Sequence, residues 1–139
     1  MRILKTYESF SNNYTFPDLE KILLNIGGES VAKSPEEDLI QLIEKGNDVY
    51  NDFEVELVKM KDSRCHQNVT SFYNNFIKDN SEEEISIITG WALSDGIWRQ
   101  HSWIFLIYDE VVIETTKDRD SYYGIELRGD DLTEFLFNN

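Results

Sequence analysis

An α+β fold is predicted by three features of the chain. Apolar residues at helical spacing dominate the first half, β-type runs fill most of the chain after residue 84, and one helix starting near Arg64 joins the two. The expected arrangement is N-terminal helices and a cysteine-bearing helix packed on an antiparallel β-sheet.

Thr15 to Ile26 reads as the first helix. Thr15 caps it, Pro17 sits in its first turn, and Leu19, Ile22, Leu23 and Ile26 form one apolar face. Gly27 and Gly28 end it. Ser34-Pro35-Glu36-Glu37 reads as a second helix start, with serine as cap, proline at the first helical position and glutamate completing a capping box. Leu39, Ile40, Leu42 and Ile43 supply its buried face, and Gly46 stops it. Phe53 to Met60 reads as a strand, with Phe53, Val55 and Leu57 alternating against Glu54 and Glu56. Ser63 is the expected cap of the next helix, Arg64 to Ile77. Val69, Phe72, Tyr73, Phe76 and Ile77 follow helical spacing there, and Cys65 lies one turn before Val69. The β-type runs are Ile85 to Leu93, Trp98 to Ile107, Val111 to Thr116 and Tyr122 to Leu127, with a short closing helix at Asp131 to Phe137.

A chain of 139 residues is expected to form one domain, 1–139, with an N-terminal subregion to residue 60 and a core from residue 61. No apolar run approaches the roughly 20 residues needed to span a bilayer. The N-terminal stretch MRILKTYESF lacks the apolar core and cleavage site of a signal peptide. A single cysteine forms no internal disulfide. These features predict a cytoplasmic protein with a reduced thiol. The formal charge of −14 argues against phosphate-directed nucleic-acid binding and against anionic membranes. It suits either simple solubility or a basic protein partner.

The chemistry centres on Cys65. In the first turn of a helix, unpaired backbone N–H groups and the helix dipole favour a thiolate, and the same N–H groups can cradle an oxyanion. Alternatively, a lone cysteine is a small buried hydrophobe. His101 shares a strand face with Arg99, Trp103 and Phe105. It is either a satisfied core residue or a base whose tautomer a neighbour fixes. With Asp109-Glu110 as the hairpin turn, Glu114 opposes Phe105 and shares the face of His101. It then stands four positions, about 13 Å, from the position opposite His101, which Asp118 occupies. A turn one residue nearer the N-terminus keeps Glu114 on that face and halves the gap. Glu114 and Asp118 are therefore both candidates for the third position.

Gln100, Gln67 and Asn68 are candidate oxyanion donors. Gln100 points away from His101 in a regular strand, and Asn68 otherwise reads as an exposed helix residue. Trp91, Trp98 and Trp103 suit the core, and Trp91 is also a candidate wall of a substrate groove. Cys65, His66 and His101 have poor chelating spacing, no zinc pattern exists, and no glycine-rich nucleotide loop is present, so neither metal nor cofactor is expected.

From Cys65 onward the chain resembles a family of small bacterial proteins of unassigned function. The resemblance lies in Cys65 to Val69 (CHQNV), Thr89 to Trp103 (TGWALSDGIWRQHSW), Val112 to Thr116 (VIETT) and Tyr122 to Gly124 (YYG), and covers about half the chain. More coarsely, the layout is similar to papain-like cysteine hydrolases, including the NlpC-type cell-wall peptidases. These place a cysteine at a helix start, a histidine at a strand start and a third polar residue on the next strand. The resemblance implies a papain-like core with Cys65 as nucleophile, His101 as base and Glu114 as orienter. Glutamate departs from the His, Asn, Asp or Gln usual in the third place. Without an export signal, cell-wall hydrolysis is not expected.

Two functions follow. One is a cysteine hydrolase or acyltransferase acting on a peptide or small amide, or on a thioester, through Cys65, His101 and Glu114. The other is a non-enzymatic acidic inhibitor or immunity-type protein that engages a basic partner, with Cys65 and His101 as core residues.

Overall fold

The computed structural model describes residues 14–33 and 39–139, so the capping box expected at Ser34 to Glu37 lies outside the described residues. The order is α1 (Phe16–Ile26), β1 (Ser30–Val31), α2 (Leu39–Lys45), a 3-10 turn (Val49–Asp52), β2 (Glu54–Leu57), α3 (Cys65–Phe76), a second 3-10 turn (Glu82–Glu84), β3 (Ile85–Ser94), β4 (Ile97–Leu106), β5 (Val111–Glu114), β6 (Ser121–Glu126) and α4 (Gly129–Asn138). This is an α+β architecture built on one six-stranded sheet.

The sheet is mixed, not antiparallel as expected. Its order is β2-β5-β4-β3-β6, with β1 pairing β4 separately. The β3–β4, β4–β5 and β3–β6 pairs are antiparallel. The β2–β5 and β1–β4 pairs are parallel. Both parallel strands precede α3 in the chain, and each adds to a strand of the meander that follows it. The strand expected at Phe53 to Met60 forms over Glu54–Leu57; as an edge strand it leaves Val55 and Leu57 41% exposed, while the flanking Phe53 and Val58 pack inward.

Alternation along the strands builds two cores. On the helix face, Leu19 and Leu23 of α1 and Leu42 of α2 bury against Trp91, Leu93, Trp98 and Tyr123. Further along that face, Val69 and Tyr73 of α3 pack on Ile85, Ile87, Ile104 and Ile113, with Phe135 and Leu136 of α4 alongside. On the opposite face Tyr50 covers Ile88, Ala92, Trp103, Val112 and Tyr122. Those residues alternate with the helix-side set, as the period of a strand requires. Burying a side chain such as Leu19 or Leu23 completely contributes about 2 kcal/mol.

Two features shape the region around His101. The β3–β4 hairpin closes through Asp95 and Gly96, both at positive φ (54° and 79°), the two-residue turn that matches strand twist. This register sets Gly90 between His101 on β4 and Gly124 on β6. A Cβ on Gly90 would lie 2.2 Å from the Tyr123 carbonyl, so only glycine fits there. Second, β4 carries β1 at Ile97–Trp98 and β5 at Ile104–Leu106. Between them, Arg99 to Trp103 has no strand partner on that edge among the described residues. No helix among the described residues is long and apolar enough to cross a membrane.

Candidate active site

α3 begins at Cys65, but its cap differs from the expectation. Arg64 is the N-cap and no side chain caps it, while Ser63 sits at φ 58°, a left-handed conformation uncommon for a residue with a Cβ. The first backbone bond of the helix runs from the Asn68 N–H to the Arg64 carbonyl at 2.8 Å. The N–H groups of Cys65, His66 and Gln67 thus have no acceptor within the helix.

The segment leading into Cys65 is tied to β5. Val58 donates its N–H to the Glu114 carbonyl and Met60 donates to Thr115, both at 2.8 Å. The Asn68 side-chain amide donates to the Lys61 carbonyl at 2.8 Å and accepts from the Lys61 N–H at 3.4 Å. Asn68 is therefore buried and committed to holding this loop. It is neither an exposed helix residue nor a free oxyanion donor.

The β4–β5 register decides the third residue. Leu106 pairs with Val111 and Phe105 with Val112, so the turn lies one residue nearer the N-terminus than Asp109-Glu110, with Glu110 at φ 53°. Glu114 then falls within two residues of the position opposite His101. The His101 Nε2 stands 2.9 Å and 3.0 Å from the two Glu114 carboxylate oxygens. Asp118 is exposed, and His101 makes its carboxylate contact with Glu114 instead.

Both members of this pair are buried, at 2% and 0% exposure, so the carboxylate must be satisfied from within. Oε1 accepts from the Tyr122 hydroxyl at 2.8 Å, and Oε2 accepts from the Thr116 N–H at 3.0 Å and the Thr116 hydroxyl at 2.9 Å. The Arg119 Nε stands 3.9 Å from Oε1, and its guanidinium donates to Thr116 Oγ1 at 2.9 Å. Burial pushes the Glu114 carboxyl up. The hydrogen bond and charge of His101, helped by Thr116 and Tyr122, outweigh it and bring the group down to about 2. Burial likewise opposes a charged His101, and its bonds to Cys65 and Glu114 overcome this and raise its pKa.

With Nε2 turned to Glu114, Nδ1 is the ring nitrogen of His101 that the carboxylate does not occupy. Burial raises the thiol, but hydrogen bonding to His101 and His66, together with their charge, lowers it to about 5. The site thus favours a thiolate on Cys65 and stabilises the protonated form of His101 beside it. Trp103 stacks on His101 at 6.1 Å and 25° and fixes the ring plane from the interior.

Sequence reasoning weighed His66 only as a metal ligand. Its Nδ1 lies 2.8 Å from the hydroxyl of the buried Ser102 and 3.8 Å from the Cys65 sulfur. Its ring meets Phe135 of α4 edge-on at 5.3 Å. The available signal was adjacency: the residue after Cys65 in a first turn sits close to the same strand that carries His101. Among the described residues, no group of three or more His, Cys, Asp or Glu side chains is arranged to hold a metal ion.

Gln100 and Trp91 face each other across β4 and β3, on the side of the sheet away from His101. Trp91 is a core residue, 3% exposed and 5.9 Å from Phe16. Both also line a cleft of about 330 Å³ whose wall includes Thr89 and Phe135, so it reaches the neighbourhood of His66. Gln67 is exposed, and its amide oxygen accepts from the Arg64 guanidinium at 3.2 Å. No protein-family model, curated protein or solved structure matches this chain.

Proposed function

We propose that the chain is a cysteine hydrolase or acyltransferase of papain-like design, acting on an amide or thioester. The observation that carries this reading is His101 bonded at 2.9 Å to a fully buried Glu114 and electrostatically coupled to Cys65. A histidine kept only for packing has no need of a carboxylate that four donors and an arginine hold ionised in the interior.

In this mechanism the Cys65 thiolate attacks the carbonyl carbon and a C–S bond forms. The carbonyl oxygen takes up the electron pair, and the free N–H groups at the start of α3 receive it. Collapse breaks the bond to the leaving nitrogen or sulfur, which takes the proton from His101. A water, or an acceptor nucleophile, then gives its proton to His101 and attacks the thioester. Product leaves with its acyl group transferred, and Cys65 returns as thiolate beside a protonated His101. Glu114 acts through His101: by accepting from Nε2–H it keeps Nδ1 directed at the sulfur and stabilises the imidazolium. Thr116, Tyr122 and Arg119 hold Glu114 in place.

The test is iodoacetamide alkylation of Cys65 against pH, in the native protein and in His101→Ala. Rapid modification with an inflection near pH 5, displaced upward in the variant, supports the reading. Slow modification that requires denaturant would sink it and leave an acidic binding protein as the better account.

A further inference from the structure

Beside the candidate site lies a basin of about 350 Å³. Its rim includes Ser63, Arg99 and Thr116, each two residues from a member of the proposed triad: Ser63 precedes Cys65, Arg99 precedes His101 and Thr116 follows Glu114. Arg99 shares the strand face of His101, two residues or about 7 Å along β4. The basin therefore borders the segments that carry Cys65, His101 and Glu114.

The charges around this basin do not cancel. Asp62 is paired with Lys59, and Asp95 with Lys117 at 3.4 Å. Arg119 is spent on Glu114 and Thr116. Arg99 is exposed, lines the basin, and has no hydrogen bond or ion pair among the described residues. In a chain with 27 acidic and 13 basic side chains, acids are available for pairing almost everywhere. An arginine left without one among the described residues, two residues along the strand from the proposed base, is positioned for a ligand. Ser63 borders the same space, and a guanidinium fork with a neutral hydroxyl beside it matches the two oxygens of a carboxylate.

We infer that Arg99 binds a carboxylate of the substrate in this basin, so that the favoured substrate is an amide or thioester carrying a carboxylate near the scissile bond. The inference rests on the hydrolase reading above and specifies its substrate class. It also accounts for a local cation in a protein whose overall field repels anions.

Two alkylating agents of nearly equal size test it, iodoacetate with a carboxylate and iodoacetamide without one. Their rates at Cys65 are compared in the native protein, Arg99→Gln and Arg99→Lys at pH 7. The expected result is a loss of about five- to tenfold in the iodoacetate rate in Arg99→Gln, with the iodoacetamide rate within about twofold of native. Arg99→Lys, which keeps the charge but not the fork, should keep only part of the native preference. Raising the salt to about 0.5 M should bring the native ratio toward that of Arg99→Gln, because exposed charges are screened. An unchanged ratio in Arg99→Gln, with iodoacetamide still fast, overturns the carboxylate site and leaves the hydrolase reading standing. If both reagents are slow in the native protein, the hydrolase reading fails and this inference falls with it.

Discussion

Glu114→Gln isolates the electrostatic part of the site with almost no change of shape. The carboxylate accepts from His101, Tyr122 and both donors of Thr116. The Thr116 N–H cannot reverse, so the glutamine oxygen must take the Oε2 position. Its amide then falls at Oε1, facing the Tyr122 hydroxyl and His101 Nε2. The hydroxyl can rotate to accept, but Nε2 can do so only as the neutral ring with its proton on Nδ1. That tautomer points a hydrogen at Cys65 and has no lone pair there to receive its proton. With the thiol at about 5, Cys65 is almost wholly ionised at pH 6.5. Returned to its ordinary value near 9.0, it would be ionised to well under one per cent, so the loss in alkylation rate has a ceiling of about 300-fold. His66 remains 3.8 Å from the sulfur and retains part of the effect, so about 30-fold is expected. Stability should fall by about 2 kcal/mol, the cost of an interior polar network left imperfectly satisfied. The assay is the iodoacetamide rate followed by mass spectrometry against pH, with urea unfolding alongside. Native rates with an unshifted inflection near pH 5 would refute the coupling of Glu114 to Cys65 through His101.

Other consequences are open to direct measurement. Glu114, lowered to about 2, contributes its stability above pH 4.5 and loses it as pH falls toward 2, whereas His101, raised above 6.5, contributes below pH 6.5 and loses it as pH rises through its folded value. The difference in urea midpoint between native protein and His101→Ala should therefore be greatest between about pH 4.5 and 6.5 and shrink on either side; a flat difference would contradict the ion pair. Asn68→Ala removes both bonds to Lys61 and should cost about 1–2 kcal/mol in urea unfolding, and an unchanged midpoint would show that the loop before Cys65 is held by β5 alone. Gly90→Ala sets a methyl 2.2 Å from the Tyr123 carbonyl and 2.5 Å from the Gly124 Cα, both backbone, and should destabilise by about 3 kcal/mol; a native melting temperature would mean that β3 and β6 separate more easily than their pairing implies.

Much of the secondary structure was legible because local chemistry dictates it. Leu19 and Leu23 at helical spacing, ended by Gly27, fix α1 without tertiary help, and the apolar runs from Ile85, Trp98 and Tyr122 can hardly be anything but strands. Cys65 at a helix start and His101 on a strand were readable for the same reason. The Asp95-Gly96 pair was a hairpin signal in plain view. Less legible were β1, two residues long, and the exposure of Val55 and Leu57: alternation marks a strand but does not say whether it ends at the edge of a sheet.

What only the tertiary structure decided is the set of partners. Choosing Glu114 over Asp118 turned on a one-residue displacement of the β4–β5 turn. In an antiparallel hairpin that displacement moves each facing residue by two positions, the difference between a 2.9 Å bond and none. The roles of His66 and Asn68, and the lack of a partner for Arg99 among the described residues, depend on which side chains from distant segments arrive beside them. By itself the sequence determined which residue types were available and which face of each helix or strand they occupy, because those follow from the backbone period of a single segment. Which residues meet across segments depends on register and packing, and these are settled only when the whole core closes.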